Sequence, residues 1–275
     1  MGEFTLLQKH STGMKQSLLQ TLRRDRRAFR RALIHRYVAP VLCKPVGVSE
    51  KPALIIAPHQ DDETFGCGGL IALKRRIGVP VTVVFVTDGG ACYGDNIPDM
   101  ARRKLVVLRE AEATAALGVL GVSHDNILFL RFPDGALSSL DAEQQARLNT
   151  LLTLHLEDSP AREVYVPHRR DSHPDHEATY RIVGDILSAT ENTGKQTPEL
   201  YEYPVWLFWS RNRLFDNLGL RDLANGQRII VAGVLGDKAA AIQQYPSQLA
   251  SLPPGFAEQF LLGNEFFFRS NPKPR

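Results

Sequence analysis

Apolar and polar positions fall along this chain in blocks. Ala53 to Ala57 is continuously apolar, the pattern of a strand buried on both faces of a parallel sheet. Val81 to Thr87 is a β-branched run of the same kind, Ile127 to Phe132 is a third and Glu163 to Val166 a fourth. Between them the spacing turns helical. Thr64 to Ile77 is stopped by Gly78-Val79-Pro80, Asp99 to Leu117 is closed by Gly118, and Asp141 to Leu156 and His173 to Ser188 follow. Leu200 to Val205 adds a strand. The tail is less regular, with Arg228 to Val234 as a strand, Asp237 to Tyr245 as a helix, and Glu265 to Arg269 as a last strand, antiparallel at an edge. Strand and helix alternating through short connections specify an α/β fold, a mainly parallel sheet with helices on both faces. Ligands in such folds sit beyond the carboxyl ends of the strands. Polar residues collect there: His59 to Glu63 after the first strand, Asp88 after the second, Asp134 after the third, His168 to His176 after the fourth.

This alternation begins only after Lys44-Pro45-Val46-Gly47. Upstream, Lys15 to Val38 has helical spacing, with Leu18, Leu22, Phe29, Leu33 and Tyr37 on one face and Arg23, Arg24, Arg27, Arg30 and Arg31 mostly on the other. The net charge of +3 conceals an asymmetry: residues 1–51 carry 11 Lys/Arg against 3 Asp/Glu, and the rest carries 22 against 27. The chain therefore divides into a basic, partly helical N-terminal extension, 1–44, and a single body, 45–275. The extension fits a helix docked on the body with a solvated basic face. It equally fits a helix lying on an anionic membrane or contacting a lipid-linked substrate. Nucleic-acid binding is disfavoured, because no aromatics interleave the arginines and the body is acidic.

At 275 residues, 43% of them hydrophobic, the chain can bury a full core as one large α/β domain. Its three cysteines, Cys43, Cys67 and Cys92, lie far apart without a CxxC spacing, which argues against a disulfide framework or a cysteine zinc site. No apolar run approaches the roughly 20 residues that span a bilayer, and the N-terminus has no uninterrupted apolar signal core. The expectation is a cytoplasmic protein, with peripheral membrane contact through the basic helix as its variant.

The polar clusters carry metal chemistry. His59 and Asp62, at i and i+3 in a turn entering a helix, can reach one ion, and mixed nitrogen and oxygen ligation suits Zn2+. His176 can add a third protein ligand, leaving room for water and substrate, as in catalytic rather than structural zinc. Such a metal lowers the pKa of its water to roughly 7 and polarises a carbonyl. Asp61 is placed to take a proton from that water. His173, one turn before His176, can stabilise an oxyanion or protonate a leaving amine, and Asp175 can orient a histidine. Taken singly, each piece could be a helix cap or a solvated polar start. A dinucleotide-binding reading also competes, since Gly66-Cys67-Gly68-Gly69 follows the first strand and Asp88 ends the second. It fails on spacing, because Ile71 stands where the third glycine belongs, and on charge, because Asp61, Asp62 and Glu63 fill the turn a pyrophosphate would approach.

Pro58-His59-Gln60-Asp61-Asp62-Glu63 and Asp171-Ser172-His173-Pro174-Asp175-His176 resemble the paired motifs of the PIG-L/LmbE-like zinc-dependent de-N-acetylases. Thr87-Asp88-Gly89, Leu117-Gly118-Val119, Phe132-Pro133-Asp134-Gly135 and Lys238, Ala241, Tyr245, Ser247-Gln248 extend the likeness over about residues 52–268. The resemblance implies a Rossmann-like three-layer sandwich and an enzyme that hydrolyses the acetamide of N-acetylated amino sugars such as N-acetylglucosamine, in glycolipids or small glycoconjugates. It implies His59, Asp62 and His176 as Zn2+ ligands, with Fe2+ or another divalent ion fitting the same donors. Asp61 would be the base, and His173 the acid or oxyanion partner, supported by Asp175. Asp134 would lie near the sugar hydroxyls, and Arg109 would meet a substrate charge. The alternatives are a metal-dependent amide hydrolase acting on a non-sugar, or a non-catalytic glycan or lipid binder. Two departures stand out: Gln60 occupies a position usually held by Pro, and the loop Gly90 to Pro98 does not follow the family pattern.

Overall fold

The computed structural model describes residues 33–91, 98–209 and 218–270. Most of the basic helix expected in the extension, together with its arginines from Arg23 to Arg31, lies outside them. Eight strands form one sheet: β1 (Lys44–Val46), β2 (Ala53–Ala57), β3 (Val81–Thr87), β4 (Ile127–Phe132), β5 (Glu163–Pro167), β6 (Glu199–Tyr203), β7 (Gln227–Ile230) and β8 (Asn264–Ser270). Their order is β1-β7-β8-β6-β5-β2-β3-β4. From β6 to β4 every pairing is parallel, and only β8 runs antiparallel, against both β6 and β7. Helices α1 (Ala39–Leu42), α2 (Asp62–Arg76), α3 (Asp99–Val119), α4 (Ala142–Asp158) and α5 (Pro174–Asn192) precede the shorter α6 (Leu220–Asn225), α7 (Leu235–Ile242) and α8 (Pro246–Leu249).

The central strands alternate their loyalties although every position in β2 is apolar. Ala53, Ile55 and Ala57 pack into one core with Phe65, Leu70, Ala113 and Leu117, while Leu54 and Ile56 pack into the other with Leu148, Leu152, Ala178 and Val183. A two-sided sheet needs apolar residues at both parities of the strand, so the unbroken run marked the buried centre. The three-layer α/β fold expected from the alternation is therefore the fold this chain adopts.

Two expectations at the sheet's edge change. β8 is not an edge strand; β7 and β1 extend the sheet beyond it. β1 was hidden because Pro45 reads as a breaker, yet proline is tolerated where one side of a strand lies unpaired, and β1 pairs only with β7. In addition, Ile34, Ala39 and Cys43 are buried in a third core with Leu207, Phe208, Leu223, Phe266 and Phe268. The last dozen residues of the expected extension are thus part of the body's packing.

The glycines after β2 serve helix packing. A Cβ on Gly66 would stand 2.2 Å from the Tyr203 ring, and one on Gly69 would stand 2.5 Å from Val231. Both lie inside α2, so they bring the helix close to neighbouring side chains instead of forming a phosphate-binding loop.

Candidate metal and hydrolase site

In the parallel part of the sheet the order β4-β3-β2-β5-β6 reverses direction between β2 and β5, so the connections leaving these two strands pass to opposite faces. The crevice at that switch point is where the two polar motifs meet. Pro58 to Asp61 leave β2, and Thr87 at the end of β3 fastens them: its backbone N–H and its hydroxyl donate to Pro58 O at 3.0 and 2.8 Å. Gln60 is fully buried, and its Nε2 donates to Thr87 O at 3.0 Å. Asp61 holds φ at 129°, a conformation costly for a side-chain-bearing residue. Its N–H donates to Glu63 Oε2 at 3.1 Å, and the Tyr245 hydroxyl donates to the same carboxylate at 2.5 Å. The strained residue is therefore held by a buried acid anchored by Tyr245, from the turn between α7 and α8 far along the chain.

Asp62 begins α2, and one of its oxygens is shared. Oδ2 lies 3.1 Å from His59 Nδ1 and 3.2 Å from His176 Nε2, and it accepts the His59 backbone N–H at 3.0 Å. The outer nitrogen of each histidine faces another carboxylate. His176 Nδ1 is 2.7 Å from Asp171, whose oxygens also accept the backbone N–H groups of Val205, Trp206 and Leu207 at 2.7–3.3 Å. His59 Nε2 lies 3.2 Å from Asp175 and 3.1 Å from Asp134. Asp175 in turn accepts from the N–H groups of Gly135 and Leu137, and Asp134 from that of Ala91. Assigned from these partners, the proton sits on the outer nitrogen of each ring, leaving His59 Nδ1 and His176 Nε2 directed at Asp62.

That arrangement suits a divalent cation. His176 Nε2 is buried 3.2 Å from Asp62 Oδ2 without a well-formed hydrogen bond, so a cation can take the place of a proton between them. A carboxylate behind each ligating imidazole is the usual support of a metal histidine. Two groups bring three donor atoms within 4.8 Å of one another: His59 with His173 and His176, and His59 with Asp134 and Asp175. The carboxylates of the latter already accept from backbone N–H groups, so it reads as support for His59.

The charges follow from burial and crowding. Burial lowers the His176 imidazole, but Asp62 and Asp171 outweigh it and carry it to about 9, so the ion-free ring also holds a proton on Nε2, which a bound cation would displace. His59 is likewise raised, against burial, by Asp134, Asp175 and Asp62. Burial, with His176 and His59 beside it, drops His173 to about 4, so its ring is neutral at physiological pH. Burial together with the Asp62 carboxylate pushes Asp61 well above the usual range, against the pull of Arg109.

The residues singled out in the sequence thus come together, with changes in what they touch. His59, Asp61, Asp62, Asp134, His173 and Arg109 all line one cavity of about 330 Å³. Asp175 is hydrogen-bonded to His59 instead of His173. Asp134 is tied to His59 through one oxygen. Arg109 is 3% exposed and donates to Gly89 O at 2.7 Å and Gln60 O at 3.2 Å. Sequence reasoning passed over Asp171, Glu63 with Tyr245, and the apolar wall of the cavity. Asp171 opens the second motif, and its position there was the one available signal.

Comparison with known proteins agrees with this geometry. Residues 54–187 match the family model of GlcNAc-PI de-N-acetylase, PIG-L. A probable N-acetyl-alpha-D-glucosaminyl L-malate deacetylase 2 of Bacillus cereus is 31% identical over 206 residues, covering 74% of this chain and 86% of that protein. A 1D-myo-inositol 2-acetamido-2-deoxy-alpha-D-glucopyranoside deacetylase of Nocardia farcinica is 30% identical over 165 residues, 54% of this chain and 55% of that one. The matched region spans 65% of the Bacillus anthracis counterpart and 55% of that from Bacillus subtilis. Among solved structures, N,N'-diacetylchitobiose deacetylase from Pyrococcus horikoshii aligns with a TM-score of 0.57 at 19% identity, covering 87% of this chain and 91% of that one. A 4-carboxy-2-hydroxymuconate hydratase from a Pseudomonas aligns with a TM-score of 0.54 at 22% identity, covering 76% and 82%. These structural likenesses establish the fold alone, and the hydratase among them shows that the fold does not dictate one reaction. The paired motifs, the family match and the Bacillus cereus relative together establish that the chain belongs to the PIG-L family of GlcNAc-PI de-N-acetylases.

Proposed function

We propose that this protein is a metal-dependent hydrolase that removes the acetyl group from an N-acetylated amino sugar, an N-acetylglucosamine-type glycoconjugate. The observation that carries the reading is the convergence of His59 Nδ1 and the buried His176 Nε2 on one oxygen of Asp62, beside a cavity lined by Asp61. His59, Asp62 and His176 would hold the ion, and their mixed donors suit Zn2+. When bound, it would supply a Lewis acid that polarises the amide carbonyl and makes water nucleophilic near neutral pH.

The chain's own residues do the rest. Asp61 accepts a proton from the attacking water as the oxygen–carbon bond forms. It then passes that proton to the sugar nitrogen as the carbon–nitrogen bond breaks, leaving acetate and the free amine. The neutral ring of His173 donates its N–H to the oxyanion of the tetrahedral intermediate. Asp134 and Asp175 fix the His59 ring, and Asp171 fixes that of His176.

The test is acetate release from a panel of N-acetylated amino sugars, before and after chelation and with Asp61→Asn. Chelation should abolish release, and re-added Zn2+ should restore it. Asp61→Asn should lower kcat/KM by about 10²–10⁴-fold while retaining stoichiometric metal. Near wild-type turnover by the metal-loaded variant would remove Asp61 from the mechanism.

A further inference from the structure

The described end of the N-terminal extension docks on the body by a face other than the one its sequence pattern marks as apolar. Ile34–Val38 forms a π-helical turn that runs directly into α1. Ile34, Ala39 and Cys43 pack into the third core, and His35 meets the rings of Phe208, Phe260 and Phe266. Leu33, Tyr37 and Val41, spaced four apart, turn away from that core and are 38%, 58% and 80% exposed. Helix α6 reaches the same core through Leu223 and adds Leu220, 56% exposed. Arg36, Lys44 and Arg221 are exposed in and beside these helices. The body thus carries an apolar ridge flanked by cations at the point where the described chain begins.

The sequence leading into the ridge has the same chemistry. Leu18, Leu22 and Phe29 fall in phase with Leu33 and Tyr37 at helical spacing. From Lys15 to Arg36 there are eight Lys/Arg against Asp25 alone. Several occupants compete for such a ridge, and the charges separate them. The body is not one, because the extension meets it through Ile34, His35, Ala39 and Cys43. A second copy would set two strongly basic segments side by side, which their repulsion opposes. A nucleic acid would take the arginines and leave the leucines in water. An anionic bilayer surface accommodates both: its headgroups take the cations, and its acyl boundary takes the apolar side chains. Arg36, next to Tyr37, fits the same surface, since an arginine can lay its stem along apolar groups while its head reaches a phosphate. Residues 52–275 carry 22 Lys/Arg against 27 Asp/Glu, so the attraction acts at one end of the molecule and orients it.

We propose that Leu33, Tyr37, Val41 and Leu220, with the basic segment before them, form a docking surface for an anionic lipid bilayer. The surface is independent of the reaction, and its test needs no substrate.

The experiment is co-sedimentation of the full chain with vesicles of phosphatidylcholine alone and with a third phosphatidylglycerol, at low and high salt. Beside it run Leu33→Ser/Tyr37→Ser/Val41→Ser, Arg23→Gln/Arg27→Gln/Arg30→Gln, and the reporter Val41→Trp. Wild type should partition onto the anionic vesicles about tenfold or more above the neutral ones, and high salt should weaken this. Each triple variant should lose about tenfold or more of that binding. The serine positions are exposed, so the urea midpoint should stay at the wild-type value. Emission of Val41→Trp, in excess of that from Trp206 and Trp209, should shift to the blue on adding anionic vesicles. The reporter decides by itself if the serine variant proves unstable. Equal or absent binding to the two vesicle types, binding unchanged in a stable serine variant, or an unshifted reporter would each overturn the proposal. A dimer that the serine variant disperses, without vesicle binding, would assign the ridge to a second copy instead.

Discussion

Replacing Asp171 by Asn is the sharpest probe of the site, because it changes one oxygen and no volume. The wild-type carboxylate meets four donors: His176 Nδ1 at 2.7 Å and the N–H groups of Val205, Trp206 and Leu207. An amide can accept through one oxygen. With the NH2 in place of Oδ2, it confronts both the imidazole N–H and the Trp206 N–H. Each buried donor left without an acceptor costs about 1–3 kcal/mol. With two donors stranded, the apoprotein should lose about 2–6 kcal/mol. His176 can escape by moving its proton to Nε2, which removes the lone pair the metal needs. Loss of such an outer carboxylate weakens metal affinity by about 10–100-fold. That corresponds to roughly 1.4–2.7 kcal/mol.

The two effects separate cleanly. Urea unfolding of the metal-free protein reports the first, and Zn2+ titration against a competing chelator reports the second. The expected outcome is a folded variant with a lower midpoint, an unchanged m-value, and a Kd for Zn2+ raised at least tenfold. If the variant folds and binds Zn2+ as tightly as wild type, Asp171 does not set the tautomer of His176, and the assignment of His176 Nε2 as the ligating atom falls with it.

Two further outcomes follow from other parts of the molecule. In Gly66→Ala the new methyl would sit 2.2 Å from the Tyr203 ring, which is fully buried; overpacking of this kind costs about 1–3 kcal/mol, and an unfolding midpoint equal to wild type would show that α2 can slide to make room. His35 is buried among the rings of Phe208, Phe266 and Phe260, and burial, reinforced by Lys238, lowers its pKa from 6.5 to about 3. Above pH 6.5 both folded and unfolded His35 are neutral, and below it the unfolded chain takes a proton that the native state refuses. Native stability from this group is therefore complete above about 6.5 and declines as pH falls towards 3. Between pH 7.5 and pH 5.0 the wild type should lose about 2 kcal/mol more than His35→Leu does, by urea unfolding at each pH, and parallel losses in the two proteins would place His35 in solvent.

What could be read from the sequence, and what could not, divides by whether the partners are local in the chain. The central strands were legible because a sheet covered on both faces demands apolar residues at both parities; β2 supplies them without interruption, and β3 and β5 do so apart from Thr82, Thr87 and Glu163. The site was legible because its chemistry sits in two short segments, each directly after one of the strands flanking the switch point. The partners that hold those segments were invisible. Asp171 is gripped by three backbone N–H groups some 35 residues away, and backbone donors are the same whatever residue carries them. Tyr245 reaches Glu63 across 182 positions. Gln60 shows the limit most clearly. Set against the usual proline, it reads as a loss of rigidity in the metal-binding turn. In the folded chain it is a gain of a fastening, since its side-chain amide donates to Thr87 O, in addition to the backbone carbonyl that accepts from Arg109 whatever residue stands there. A proline would stiffen the turn through φ but could donate no hydrogen bond to the end of β3. The turn is thus held here from its neighbours instead of from within, and Arg109, whose guanidinium closes that same tie on Gly89 O, is a positioning residue before it is anything else.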